Sequence, residues 1–240
     1  MAKALTLPNR ASGFVGREKE TKQLAGLYRD KKHVLVVGPA GIGKTALVRH
    51  VRQSCPLLYC EESSSLRRIC DAIERQLGWS HRKLNVVERK NRLLAYLDRR
   101  AQAVSFDHVA ETPPRVAHFI GTLGEHIPVW IIARSDQPDA IGRVWEHLYK
   151  FARVEVGRLT RADTRALTER AVHDRNIAPE VLDHVPRIHR ISGGNPRTLE
   201  ELFIELAARD YAIGSSFGVR LLELDRQIQR LTTDVAVAAA

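Results

Sequence analysis

The sequence predicts an α/β fold, a parallel sheet sandwiched by helices, with a small all-helical domain after it. Three observations carry that reading. Short apolar runs alternate with amphipathic stretches as far as Val156, the pattern of strand–helix–strand crossovers in a parallel sheet. The segment GPAGIGKT (38–45) follows one such run and opens a helical stretch. After Val156 the alternation stops and only helical patterns follow.

Along the chain, MAKALTLPNRASG (1–13) lacks apolar periodicity and reads as an arm. FVGREKETKQLAGLYRDKK places Leu24 and Leu27 for a short amphipathic helix. Residues 33–37 are a buried-strand run, and a helix begins near Lys44. PLLYC (56–60) is a second short strand. Leu66, Ile69, Cys70, Ile73 and Leu77 form one helical stripe over 66–79, and another helix covers 86–100. AVSFD (103–107) is a third strand, and PPRVAHFIGTLGEH starts a helix at proline. IPVWIIARS is the fourth and most apolar strand, AIGRVWEHLYKF (140–151) a helix, and ARVEV (152–156) the fifth strand.

Beyond it, Thr160 caps a helix with Asp163 three residues later, close to a capping box. Residues 179–192 form a helix interrupted near Pro186. Asn195 caps another, with Pro196 at its first position, and a fourth runs from 217 to 231. The expected organisation is therefore an α/β core over 1–157 (arm 1–13), a helical domain over 158–232 and a frayed tail over 233–240.

Composition sets outer limits. A chain of 240 residues suffices for one large domain or a core with a small second domain. Three cysteines, Cys55, Cys60 and Cys70, fit no common zinc spacing. With no signal-peptide pattern, they read as reduced thiols in a cytoplasm. No stretch approaches the roughly 20 apolar residues that span a bilayer, so no membrane partner is expected. The balance of 38 Lys+Arg against 28 Asp+Glu leaves +10, a field that favours polyanions.

Gly38-Pro39-Ala40-Gly41-Ile42-Gly43-Lys44-Thr45 fits G-x-x-x-x-G-K-[ST] in the required context, after a strand and at a helix start. Its backbone N–H groups, continuing into Ala46, can wrap a β-phosphate, and the helix N-terminus adds positive potential. Lys44 is suited to the β/γ-phosphates, and the Thr45 hydroxyl to Mg²⁺. The loop alone would also suit a small-molecule kinase.

The order of motifs narrows this. FVGRE (14–18), GPAGIGKT, the strand ending at Asp107, IIARS (131–135) and GGNPR (193–197) together resemble AAA+ and STAND-type ATPases. The resemblance spans roughly residues 14 to 210. It is similar in particular to compact transposition regulators and origin-recognition-like AAA+ ATPases. The resemblance implies a P-loop NTPase core with a helical lid, ATP/ADP and Mg²⁺ as ligands, and the following roles. Phe14, Val15 and Gly16 would line the adenine pocket. Asp107 would be the Walker B acid, holding Mg²⁺ through water. Arg134 or Ser135 would occupy the sensor 1 region. Arg197, with Pro196 beside it, would be the sensor 2 arginine that meets the γ-phosphate. Such proteins assemble head to tail, with an arginine from the neighbour; Arg143 and Arg153 are the candidates here.

One position departs from the pattern. An acid commonly follows the Walker B aspartate in these families, and here it is His108. An imidazole can accept a proton or orient water, and Glu111 is an alternative base. The departure implies slow ATP hydrolysis, so that the ATP-bound state acts as a switch. A STAND-like signalling or scaffold protein with little hydrolysis is the competing reading.

Ten Lys+Arg stand against four Asp+Glu between residues 67 and 100, a net +6 of the chain's +10. The cations are Arg67, Arg68, Arg75, Arg82, Lys83, Arg89, Lys90, Arg92, Arg99 and Arg100. With Trp79 followed by His81, Arg82 and Lys83, the segment suits the backbone of DNA. The expected partners are thus DNA, further copies of the chain in a nucleotide-dependent homo-oligomer, or a protein.

Overall fold

Runs of Val, Leu and Ile too short for helices pair into the central sheet, and the amphipathic stretches between them cover it. The structure is a computed structural model; it describes residues 14–80, 84–98, 103–110, 112–175 and 177–208. The expected arm, tail and helix over 217–231 lie outside the described residues, as do His81, Arg82, Lys83, Arg99, Arg100 and Glu111.

The chain divides into two compact units. The first, Arg17–Gly157, contains α1 (Glu18–Arg29), β1 (Val34–Val37), α2 (Lys44–Val51), β2 (Leu57–Cys60), α3 (Leu66–Leu77), α4 (Val86–Leu97), β3 (Ala103–Phe106), α5 (Pro114–His126), β4 (Val129–Ala133), α6 (Pro138–Ile141) and β5 (Ala152–Glu155). The strands form one parallel sheet in the order β2-β3-β4-β1-β5. Parallel crossovers put helices on the sheet faces, which is why its inner strands read as nearly continuous apolar runs, broken only by the buried Ser105 of β3. β4, the most apolar run, is the middle strand with all five residues buried, whereas β5 lies at an edge and exposes Arg153 and Glu155.

The other edge, β2, is closed by a side chain. Gln76 of α3 accepts from the Tyr59 N–H at 3.0 Å through Oε1, and its Nε2 donates to the Tyr59 carbonyl at 2.8 Å. Arg52 Nε donates to the Leu57 carbonyl at 2.8 Å.

The helical pair α3–α4 is pinned by buried charge. Arg89, 2% exposed, donates to both carboxylate oxygens of Glu74, which is fully buried, and pairs with Asp71. Asn85 and Glu88 form a capping box that starts α4.

One expectation needs correction. The stretch 140–151 is not one α-helix: α6 is a single turn, and Gly142–Lys150 is a 3₁₀ helix. Gly142 adopts φ +63, which a right-handed helix cannot pass through. The buried pair Ile141 and Val144 fits a three-residue turn as well as an α-turn.

The second unit holds α7 (Arg161–Arg175), a 3₁₀ turn over Pro179–His184, α8 (Val185–Ser192) and α9 (Pro196–Ala208). Leu159, Val181, Ile188, Leu199 and Leu202 are among its buried core. The interruption near Pro186 is the change from the 3₁₀ turn to α8, whose first turn holds that proline. The Thr160 N–H donates to Asp163 Oδ2 at 2.8 Å, and the Asp163 N–H to Thr160 Oγ1 at 3.1 Å. This is a capping box with Asp in the place of Glu. Phe14, Val15 and Gly16 group with this unit rather than with the core. Gly16 lies so close to the Asp163 carboxyl that a Cβ there would overlap it.

Candidate functional site

β1 ends at Val37, and the chain turns through the glycine-rich loop into α2. Gly43 stands at the N-cap of α2 with φ +94, a conformation costly for any side chain. The first N–H groups of α2 have no helical partners, so loop and helix end together form an anion cradle. Gly38 and Ile42 are buried, Gly41 and Gly43 partly so, while Pro39, Ala40 and Ala46 are exposed.

Lys44 donates to the carbonyls of Gly38 at 2.6 Å and Pro39 at 2.8 Å. Its ammonium thus curls over the loop that a phosphate would fill. Burial pulls its pKa below the ordinary lysine value; Asp107 opposes this and Arg134 adds to it. Arg17, the arginine of FVGRE, braces the loop from behind. It is 4% exposed, donates to the Ile42 carbonyl at 3.1 Å and pairs with Glu20 at 3.0 Å.

Asp107 lies just past the end of β3 and is 5% exposed. Thr45 Oγ1 donates to its Oδ2 at 2.6 Å, Tyr59 OH donates to the same oxygen at 3.0 Å, and the His108 N–H donates to Oδ1 at 3.0 Å. Two hard oxygens from two elements, Thr45 Oγ1 and Asp107 Oδ2, thus meet beside the phosphate cradle. That donor set fits Mg²⁺, whose shell is completed by phosphate and water rather than by a protein cage. Among the described residues no group of three or more His, Cys, Asp or Glu could hold a metal by itself.

His108 is exposed and adopts φ +53, left-handed backbone that is uncommon outside glycine. The Ser63 hydroxyl holds this turn, 3.3 Å from the Asp107 carbonyl, 3.2 Å from the His108 carbonyl and 3.3 Å from Thr112 Oγ1.

Arg134 is exposed at the end of β4, where its charge bears on Lys44. Asp136, a conceivable partner for it, pairs instead with Arg153 at 2.9 Å. Ser135 Oγ accepts from the Gln137 N–H at 3.3 Å. The core therefore brings Lys44, Thr45 and Asp107 together, with Arg134 in electrostatic reach.

Phe14, Val15, Gly16, Pro196 and Arg197 belong to the second unit. There Arg197 pairs with Glu201 at 3.2 Å, and its N–H donates to the cap Asn195. Their roles toward nucleotide remain what the resemblance implies.

Sequence reasoning missed Arg17 as a loop brace, and it missed Tyr59 and Ser63 at Asp107. The signal for Arg17 was its place within FVGRE. Tyr59 and Ser63 lie on β2 and the loop after it, which only the strand order brings beside β3.

The basic segment is less open than its count suggests. Arg89 is engaged in the buried pair, Arg68 pairs with Glu62, and Arg92 stacks on the Trp79 ring at 4.2 Å. Trp79 also packs edge-on against Tyr96. Arg67 and Arg75 are exposed and Lys90 partly exposed. Among the described residues, no helix is long and apolar enough to cross a membrane.

Comparison with known proteins agrees with this geometry. The Walker-type ATPase PABY2304 of Pyrococcus abyssi superposes with a TM-score of 0.66 at 16% identity, over 98% of this chain and 78% of that one. Two single-substitution variants of RuvB from Thermotoga maritima superpose with TM-scores of 0.53 at 16% identity. They match over 83% and 80% of this chain, and 65% and 61% of theirs. At such identity these likenesses establish the fold, the P-loop NTPase arrangement of a parallel sheet flanked by helices. No curated protein sequence matches the chain. The family model described as AAA ATPase domain (AAA_16) matches residues 13–209. With the phosphate loop placed as that family requires, the chain belongs to the AAA ATPase domain family and is a nucleotide-binding P-loop ATPase.

Proposed function

We propose that this ATPase domain works as a slow, nucleotide-dependent switch that assembles on DNA in the cytoplasm. The observation that carries the slow step is His108 at the place where an acid would polarise the attacking water. In this reading Lys44 leaves the Gly38 and Pro39 carbonyls for the β- and γ-phosphates. Thr45 and Asp107, now hydrogen-bonded to each other, are the residues that would hold Mg²⁺. Mg²⁺, when bound, neutralises charge that builds on the phosphates. His108, fixed at φ +53 by Ser63 and Asp107, orients the water or accepts its proton. An imidazole does this less well than a carboxylate beside the metal, so the ATP-bound state persists.

The DNA part of the reading rests on net charge and on the exposed Arg67 and Arg75 of α3. Assembly rests on the head-to-tail contacts usual for the family. Arg143, which is exposed, is a better candidate to act on a neighbour than Arg153, which Asp136 engages.

Steady-state ATP turnover, with and without double-stranded DNA and with Lys44→Ala as background, tests the proposal. Turnover below the roughly 1–100 s⁻¹ of fast phosphoryl-transfer enzymes, raised by DNA, is the expected result. Rapid turnover by the isolated protein would reject the switch. Tight ATP binding with no turnover, with or without DNA, would instead favour a signalling or scaffold role with a protein partner.

A further inference from the structure

Away from the phosphate loop, a cleft of about 400 Å³ opens along the closed edge of the sheet. Arg49, Arg52, Gln53, Pro56, Leu57 and Gln76 line it. Arg49 and Arg52 both come from the C-terminal end of the α2 region, and both guanidiniums lie over one aromatic ring. Their Cζ atoms are 5.2 and 5.5 Å from the centre of Tyr59. Two like charges are thus gathered on a single ring. Arg49 meets the exposed carboxylate of Glu61 at 3.2 Å. The hydrogen-bond partners of Arg52 are neutral, the Leu57 carbonyl and Gln76 Oε1. The arrangement holds two cations against one solvated carboxylate. Burial lowers the Arg52 pKa first of all; Tyr59 opposes that shift and the Arg49 charge adds to it. An anion between the two arginines relieves that repulsion. Guanidiniums match the geometry of phosphate oxygens.

The ring under the arginines also reaches the nucleotide site. Its hydroxyl donates to Asp107 Oδ2, the oxygen that also accepts from Thr45. We propose that this cleft binds a phosphate group through Arg49 and Arg52, and that Tyr59 relays its occupancy to Asp107. Cations over the ring strengthen the phenol as a donor. A phosphate that engages the arginines draws their charge off the ring and weakens the Tyr59–Asp107 bond. Oδ2 is then freer for the Mg²⁺–nucleotide complex. Coupling is reciprocal, so bound Mg²⁺–nucleotide tightens the cleft's hold on phosphate. Tyr59 is a positioning residue in this scheme and touches no substrate. The relay rests on the nucleotide reading above; the cleft's own affinity does not.

The phosphate can be free or part of a nucleic-acid backbone, and one experiment separates the sources. The protein is saturated with Mg²⁺ and a non-hydrolysable ATP analogue, so that the phosphate loop is full. Inorganic phosphate and a 20-nucleotide single-stranded DNA are then titrated separately by calorimetry. We expect at least one to bind, and Arg49→Gln with Arg52→Gln to weaken it by roughly tenfold or more. Phosphate binding lost in that variant identifies a free phosphate ligand; loss confined to DNA identifies the backbone. Arg49→Gln alone, whose carboxylate partner is solvated, keeps the test open if the double variant does not fold. Analogue affinity is measured with and without the probe, and Tyr59→Phe is expected to abolish the difference while both ligands still bind. Binding of neither probe, or binding unchanged in the arginine variants, would overturn the site. Coupling unchanged in Tyr59→Phe would overturn the relay. Analogue affinity and its loss in Lys44→Ala report on the nucleotide reading separately.

Discussion

Thr45 and Asp107, 62 residues apart, hold each other directly: the Thr45 hydroxyl donates to Asp107 Oδ2 over 2.6 Å. The bond joins the first turn of α2 to the end of β3, and its two oxygens are those suited to Mg²⁺. Thr45→Val removes one of them. Its nucleotide affinity, measured by calorimetry with Mg²⁺ and with a chelator, is expected to lose most of the metal's enhancement. A variant that keeps the full enhancement would remove Thr45 from the metal site.

Lys44 directs its ammonium to two loop carbonyls, at 2.6 and 2.8 Å. Both are weaker partners than a phosphate. Lys44→Ala is expected to lose about 1.5–3 kcal/mol of ATP binding, the scale of a hydrogen bond to a charged group. Unchanged ATP affinity by calorimetry would reject the loop as the nucleotide site.

His108 carries left-handed backbone at a position where glycine would be unstrained. His108→Gly should hold stability or raise it by about 1 kcal/mol, read from urea unfolding. His108→Glu should raise ATP turnover by about tenfold or more, if the missing acid limits the rate. A slower or equal rate in His108→Glu would place the limit elsewhere.

The pair Arg89–Glu74 is almost fully buried. Arg89→Met leaves the Glu74 carboxylate without its cation and should cost about 3–5 kcal/mol. Adding Glu74→Leu should recover much of that loss, because a packed apolar pair can replace buried ions. Urea midpoints of the two variants check this, and equal midpoints would show that the charge pair is not what holds α3 to α4.

His33 makes folding sensitive to acid. The Val129 N–H donates to its Nδ1 at 3.2 Å, a bond that only the neutral ring can accept. Burial lowers the His33 pKa, and Lys150 adds to the shift. The unfolded chain therefore takes up this proton more readily than the folded one. The stabilising contribution is complete above the unfolded value of about 6.5. It is lost as pH falls from there toward the lower folded value. The thermal midpoint between pH 8 and pH 5 should drop on the acid side. His33→Gln, whose carbonyl can accept the same N–H at any pH, should flatten that part of the profile. An equally steep profile in the variant would assign the acid sensitivity to other groups.

Much of the architecture was legible because burial writes itself into composition. IPVWIIARS stood out as the most apolar run and proved to be the middle strand, whereas the alternating ARVEV became an edge. The phosphate loop was legible because glycine, lysine and threonine must stand at fixed spacings. Strand order was not legible, because β1–β4 and β2–β3 pairing depends on crossovers and not on any local run. For that reason Tyr59 and Ser63 were invisible as neighbours of Asp107. Counting charges overstated the basic face, since the sequence cannot tell a solvated arginine from Arg89, folded inward onto Glu74. The 3₁₀ stretch was missed because Ile141 and Val144 satisfy both helical periods.

The Gln76 amide on β2 has a meaning for the crowded life of the chain. A bare outer strand invites any extended peptide to zip on, whether from a half-folded sibling or a nascent chain. Here one side chain occupies both the donor and the acceptor of Tyr59, and Arg52 covers the Leu57 carbonyl. The clasp is local, since α3 follows β2 closely in sequence. A second chain or an extended peptide therefore meets a rim whose hydrogen-bonding groups at Tyr59 and Leu57 are already taken, so growth of the folded sheet by edge addition is blocked on that side.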